Sequence, residues 1–173
     1  MSHLTSSLRE FKEYFEKKNI KIEGSILDIG CKDVSSKEFF TNLGLDWTGI
    51  DNNPQQPQGE VITMDMTDLN FPNNSFDFVF ICHSLEHCLN PLKALLEAKR
   101  ICKGYIFISM PCYCEKHVLM GDKDHIFIFT PMQLTKLAMY LDMKFEVFDG
   151  NKSEELSGYG KSKEYNVIGV LWK

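Results

Sequence analysis

The chain has 173 residues, a formal net charge of −5 and an apolar fraction of 43%. That length suffices for one domain of typical size with a core of its own. The mild acidity argues against nucleic acid or an anionic membrane as the principal partner, since both reward basic patches, and the longest apolar runs are too short to span a bilayer.

Met1-Ser2-His3 lacks a basic start followed by an apolar block, so no signal peptide is expected. Leu4, Leu8, Phe11 and Phe15 then recur at helical spacing over 4–18, with Ser7 and Glu10 as a candidate capping box. This helix is expected to pack on the sheet or over the ligand site. The run 25–29 reads as a buried strand. A helix over 36–43 follows, capped by Ser35 and Glu38 and stopped by Gly44. Residues 46–50 form a second strand ending in Asp51, and the Asn-, Gln- and Pro-rich stretch 52–59 reads as a loop where a helical crossover would be usual. A short third strand covers 60–63.

The apolar run 76–82 reads as strand four. Asn90 and Pro91 start a helix to about Cys102, and residues 105–110 form strand five. Ile126-Phe127-Ile128-Phe129 looks strand-like. Thr130-Pro131-Met132-Gln133 caps a helix to about Leu141, strand six covers 143–148, 150–160 reads as a polar loop, and 165–172 is the last strand. Strands alternate with helices until two strands follow one another, which implies a mostly parallel sheet with one antiparallel strand. No linker or repeat marks a second domain, so 1–173 reads as one. The six cysteines (31, 82, 88, 102, 112 and 114) fit reduced thiols in a cytoplasmic chain.

Ser25-Ile26-Leu27-Asp28-Ile29-Gly30-Cys31 is the stretch around which the chain is organised. Its strand stops at a glycine that admits a ligand to the backbone, and the helix beyond offers unpaired N–H groups. Asp51 lies at the end of the next strand. Open α/β sheets bind ligands at the carboxyl ends of their strands, beside the switch point in strand order.

Four ordered pieces carry a resemblance that covers about residues 24–172. They are Ile26-Leu27-Asp28-Ile29-Gly30-Cys31, Gly49-Ile50-Asp51, Met64-Asp65-Met66, and 71–79 leading into His83-Ser84-Leu85-Glu86-His87. The chain resembles the class I S-adenosylmethionine-dependent methyltransferases, in the branch with a Leu-Glu-His signature (methyltransferase type 11). The resemblance implies an α/β, three-layer, Rossmann-like fold with a seven-stranded sheet in the order 3-2-1-4-5-7-6, strand 7 antiparallel. It implies S-adenosyl-L-methionine as cofactor and S-adenosyl-L-homocysteine as product. Asp51 would accept both ribose hydroxyls, because an ionised carboxylate has two acceptor oxygens. Asp65 would take the adenine amine, with Asn52 and Met66 flanking the ring. Gly30 and Cys31 would approach the methionine portion, and Asp28 would orient the loop and reach the amino group. The family's Asp-x-Gly-x-Gly-x-Gly turn is altered here, with Lys32 and Val34 where later glycines are expected. Lys32 fits there if its backbone angle is allowed; otherwise it crowds the cofactor.

In-line methyl transfer draws much of its rate from positioning, and where a base is used histidine is the natural type. His83 follows strand four and faces the crevice as a cofactor or catalytic candidate. His87 is a second candidate, weighed against holding loop backbone. Tyr113, His117 and Tyr159 are placed in the acceptor pocket, and His125 in a structural role. His83 and His87 at i, i+4 beside Cys112 and Cys114 suggest a metal site, but no Cys-x-x-Cys pair supports it, and none is expected. The acceptor is expected to be a small molecule rather than nucleic acid or protein, and a homodimer is allowed. The runner-up is a non-catalytic binding module on the same fold. A nicotinamide oxidoreductase fits the sheet but lacks a Gly-x-Gly-x-x-Gly turn.

Overall fold

In the computed structural model, residues 3–55, 59–111, 124–150, 153–157, 160–164 and 166–173 are described. In chain order they form α1 (His3–Lys17), β1 (Gly24–Ile29), α2 (Lys37–Asn42), β2 (Leu45–Asp51), β3 (Val61–Thr63) and β4 (Phe76–Cys82). A 3-10 turn (Leu85–His87) follows, then α3 (Pro91–Ile101), β5 (Cys102–Pro111) and α4 (Pro131–Tyr140). The remaining strands are β6 (Lys144–Asp149), β7 (Ser153–Ser157), β8 (Gly160–Glu164) and β9 (Asn166–Trp172).

Seven strands make one sheet in the order β3-β2-β1-β4-β5-β9-β6. The pairs from β3 through β5 are parallel, while β9 runs antiparallel to both β5 and β6. With β9 counted as seventh strand of this sheet, the expected order 3-2-1-4-5-7-6 is observed. The chain steps from β1 to β2 on one side and later from β3 to β4 on the other. The carboxyl ends of β1 and β4 therefore flank the switch point, where an open α/β sheet leaves a crevice.

Alternation along the strands sends different residues to each face. On one face Phe78 and Phe80 of β4 and Phe107 of β5 meet Phe11 and Phe15 of α1 and Phe40 of α2. Phe11 sits at the centre of this group, with edge contacts to Phe15, Phe40, Phe78, Phe80 and Phe107 at centroid separations of 4.7–5.9 Å. Edge-to-face pairs add to the burial of such rings by about 0.5–1.5 kcal/mol each. On the other face Leu27, Val79, Ile81, Ile106 and Ile108 pack with Leu95 and Ala98 of α3 and with Leu134 and Ala138 of α4. Gly169 of β9 keeps the Leu134 side chain against the sheet, since a Cβ there would stand 2.6 Å from its Cδ2.

Asn90 accepts from Lys93 N at 3.1 Å as the N-cap of α3, and Thr130 and Gln133 form a reciprocal capping box on α4, both as the sequence suggests. Four expectations are corrected. Ser7 lies inside α1 and not at its start, and its hydroxyl is spent on Ser109 Oγ at 2.7 Å. Ser36 rather than Ser35 is the N-cap of α2, and its hydroxyl turns to Asp28 instead of capping. Residues 126–129 form no strand; Ile126 N and Phe127 N are drawn to the Glu86 carbonyl at 2.9 and 3.0 Å. The polar stretch after Gly150 contains the β7–β8 hairpin. No helix among the described residues is long and apolar enough to cross a membrane.

Candidate functional site

The site begins with Asp28, which points into the aromatic face and is 3% exposed. Its Oδ2 accepts from Ser36 Oγ and from Trp47 Nε1, the latter at 3.4 Å. Trp47 reaches it because Gly49 has no side chain: a Cβ at 49 would meet the indole at 2.4 Å and Cys31 Sγ at 2.8 Å. Burial pushes the Asp28 carboxyl up to about 6, against the opposing pull of these two hydrogen bonds.

Past Ile29 the chain turns at Gly30, whose φ is +73°. A Cβ there would lie 2.4 Å from Ser84 Cβ, so this glycine is needed for contact as well as for angle. Ser84 closes the contact by donating to Ile29 O at 3.0 Å. Gly30 N and Cys31 N both donate to Ile50 O, at 2.8 and 3.1 Å, which ties the turn to the end of β2. Cys31 is half-buried, and burial together with the Asp28 and Asp51 carboxylates pushes its thiol well above the ordinary range. Its thiol is therefore kept protonated at neutral pH.

Lys32, where the family has a glycine, adopts φ +62°. The altered turn thus keeps a left-handed backbone. That conformation aims Lys32 N at Asp51 Oδ2, at 2.9 Å, while Asn53 N reaches Asp51 Oδ1 at 2.8 Å. Each carboxylate oxygen holds about two lone pairs, so Asp51 is fixed in place with one acceptor position per oxygen remaining. Asp51 pairs in register with Thr63 of β3, and Met64 N donates to Asp51 O at 3.0 Å. Asp65 follows directly, exposed, with its Oδ1 held by Thr67 N at 2.7 Å. The two acids therefore end adjacent parallel strands. Met66 Cε would lie 3.7 Å from a Cβ on Gly30, which brings that thioether over the turn, and Asn52 is exposed beside Asp51.

His83 comes directly after β4 with φ +49°. Its Nε2 lies 3.1 Å from Asn166 Oδ1, and Asn166 Nδ2 donates to Ser7 Oγ at 3.3 Å. This joins His83 to α1 and β9 through a buried polar chain. His83 Nδ1 is 3.7 Å from the Glu86 carboxylate. His87 is exposed, and its Nδ1 lies 3.0 Å from Asp124 O, so it does hold loop backbone. His125 Nε2 lies 4.0 Å from Glu86 Oε1 and its ring is 4.7 Å from that of His87. Tyr113, His117 and Tyr159 lie outside the described residues, as do Cys112 and Cys114.

The sequence reading missed Ser36, Trp47 and Ser84 as supports of the Asp28–Gly30 turn, and Asn166 as the partner of His83. Trp47 and Ser84 lie within or beside the recognised pieces and were open to notice. Asn166 is 83 residues from His83, and no local pattern links them.

The described strands thus form a doubly wound sheet with acids at the ends of two neighbouring strands, a glycine turn at the switch point and a histidine after β4. Residues 27–108 match the family model described as a methyltransferase domain. Over 86 residues the chain is 33% identical to a demethylmenaquinone methyltransferase of Renibacterium salmoninarum, a stretch that is 45% of this chain and 36% of that relative. The chain thus matches little more than a third of that relative's length. Among solved structures, a SAM-dependent methyltransferase from Archaeoglobus fulgidus superposes with a TM-score of 0.73 at 18% identity, covering 97% of this chain and 94% of that one. A Haemonchus contortus phosphoethanolamine N-methyltransferase, solved with phosphomonomethylethanolamine and S-adenosylhomocysteine, does so with 0.69 at 13% identity, covering 95% and 52%. Residues 27–108 are thus similar to a methyltransferase domain, and the chain shares the fold of the Archaeoglobus fulgidus SAM-dependent methyltransferase.

Proposed function

We propose that this chain binds S-adenosylmethionine and transfers its methyl group to a small-molecule acceptor. The observation that carries the reading is Asp51, clamped by Lys32 N and Asn53 N with one acceptor position left on each oxygen. A ribose diol supplies the two hydroxyl donors that such a carboxylate can still accept. Asp65 takes the adenine amine on its Oδ2 side, and Met66 and Asn52 cover the ring. The Gly30-Cys31 turn receives the methionine portion, and its ammonium group approaches Asp28. His83, held by Asn166, stands on the acceptor side at the end of β4 and is the candidate general base. The demethylmenaquinone methyltransferase name of the sequence relative favours a small acceptor.

Titration calorimetry with S-adenosylhomocysteine tests the reading. Binding is expected in the wild-type chain and a loss of at least about tenfold in Asp51→Ala, which removes an ion-assisted pair of hydrogen bonds. Failure to bind either S-adenosylmethionine or its product at millimolar concentration would overturn it. Product binding with no turnover on any acceptor would favour the binding-module reading.

A further inference from the structure

We propose that Glu86, His87 and His125 form a site for a divalent transition-metal ion of the zinc type. One donor atom from each of the three lies within 4.8 Å of the others, on two segments far apart in sequence. The Glu86 carboxylate stands 4.0 Å from His125 Nε2. Two imidazoles and one carboxylate are ligands that zinc accepts, and three protein ligands with an open fourth position are the pattern of its reactive sites. Tetrahedral ligands at zinc's usual bond lengths stand roughly 3.3 Å apart, so the donors have to close by roughly 1.5 Å at most.

The backbone presets the cluster. The Glu86 carbonyl receives both Ile126 N and Phe127 N, which fixes the 3-10 turn against the segment carrying His125. His87 directs Nδ1 at the Asp124 carbonyl, 3.0 Å away. A carbonyl there selects the tautomer with the proton on Nδ1 and the lone pair on Nε2. That outer hydrogen bond is the one metal-binding imidazoles carry, and it raises their basicity. Glu86 is 1% exposed, and a dication beside a buried carboxylate relieves its desolvation. The donors differ from those weighed on sequence alone, where His83 and His87 were set beside Cys112 and Cys114. His83 instead borders the site, with Nδ1 3.7 Å from the Glu86 carboxylate.

The site is independent of the methyl-transfer reading, because metal uptake needs neither cofactor nor acceptor. The full chain, stripped with chelator, is titrated with zinc by calorimetry, and bound metal is counted by native mass spectrometry. One zinc per chain is expected, with affinity falling about tenfold or more in His87→Ala and in His125→Ala. In the wild-type chain, side-chain NMR signals of His87 and His125 should shift on zinc addition while that of His3 does not. This arm needs no variant to fold. No uptake with zinc in excess would overturn the proposal. So would uptake that is unchanged in both variants, which would assign the metal to thiols, or histidine signals that stay in place.

Discussion

Replacing Asp28 with asparagine isolates the cost of a buried carboxylate beneath the turn. Its carboxyl rises from 3.8 to about 6 on folding. Between those values the folded state holds a proton that the unfolded state has released, so stability falls as pH rises and levels off above about 6. The shift of about two units corresponds to about 3 kcal/mol of stability present below pH 3.8 and absent at neutral pH. In Asp28→Asn an oxygen remains for Ser36 and Trp47, but the new amide N–H groups need acceptors, a pH-independent cost of about 1–3 kcal/mol. The informative quantity is therefore the difference between variant and wild type as a function of pH. Urea unfolding followed by the fluorescence of Trp47 and Trp172 should show the variant gaining about 2.5 kcal/mol on the wild type between pH 4 and pH 7.5. Parallel pH profiles, or a variant that gains as pH falls, would refute the reasoning. A cofactor ammonium near Asp28 would favour the ionised form, so S-adenosylhomocysteine should bind the wild type less tightly below pH 6 and Asp28→Asn with no such dependence.

Gly30→Ala forces a Cβ into Ser84 at φ +73°, and should cost about 1–3 kcal/mol in thermal melts and abolish S-adenosylhomocysteine binding by calorimetry. Lys32→Gly relieves about 1–2 kcal/mol of left-handed strain but adds about 0.4–1 kcal/mol of unfolded-state entropy. Its denaturant midpoint should therefore stay level or rise slightly, and a clear fall would contradict the φ of +62°. Arg100→Ala removes donors to Leu69 O, Phe71 O and Asn73 Oδ1 and the partner of Glu97. Because the guanidinium is partly exposed, a loss of about 1–3 kcal/mol in urea midpoints is expected, with cofactor binding unchanged.

The elements legible in the sequence were those whose signal is local. Apolar runs marked β1, β4 and β9, and the Asn90 and Thr130 caps marked their helices, because a cap is a contact three residues long. The position of Asp51 at the end of β2 was legible for the same reason, since a strand and its last residue are read together. Where a polar residue had two suitors, the distant one won. Ser7 looks like a cap but bonds Ser109 across the fold, and Ser36, which takes the N-cap position in place of Ser35, turns its hydroxyl to Asp28. The 126–129 run has strand composition, yet its first two amides, Ile126 N and Phe127 N, both go to the Glu86 carbonyl. The β7–β8 hairpin carries no apolar alternation, so period-two reading had nothing to register. The Glu86–His125 approach spans 39 positions and has no local trace.

The placement of β9 bears on how the molecule is assembled during synthesis. This strand is made after both of its neighbours, and among the described strands β6 bonds to no other. A nascent chain therefore presents the strands through β5 and the single strand β6 with a vacant slot between them until β9 leaves the ribosome. Completion is then an act of insertion rather than of extension, and any chaperone that shields the unfinished form must leave that slot accessible.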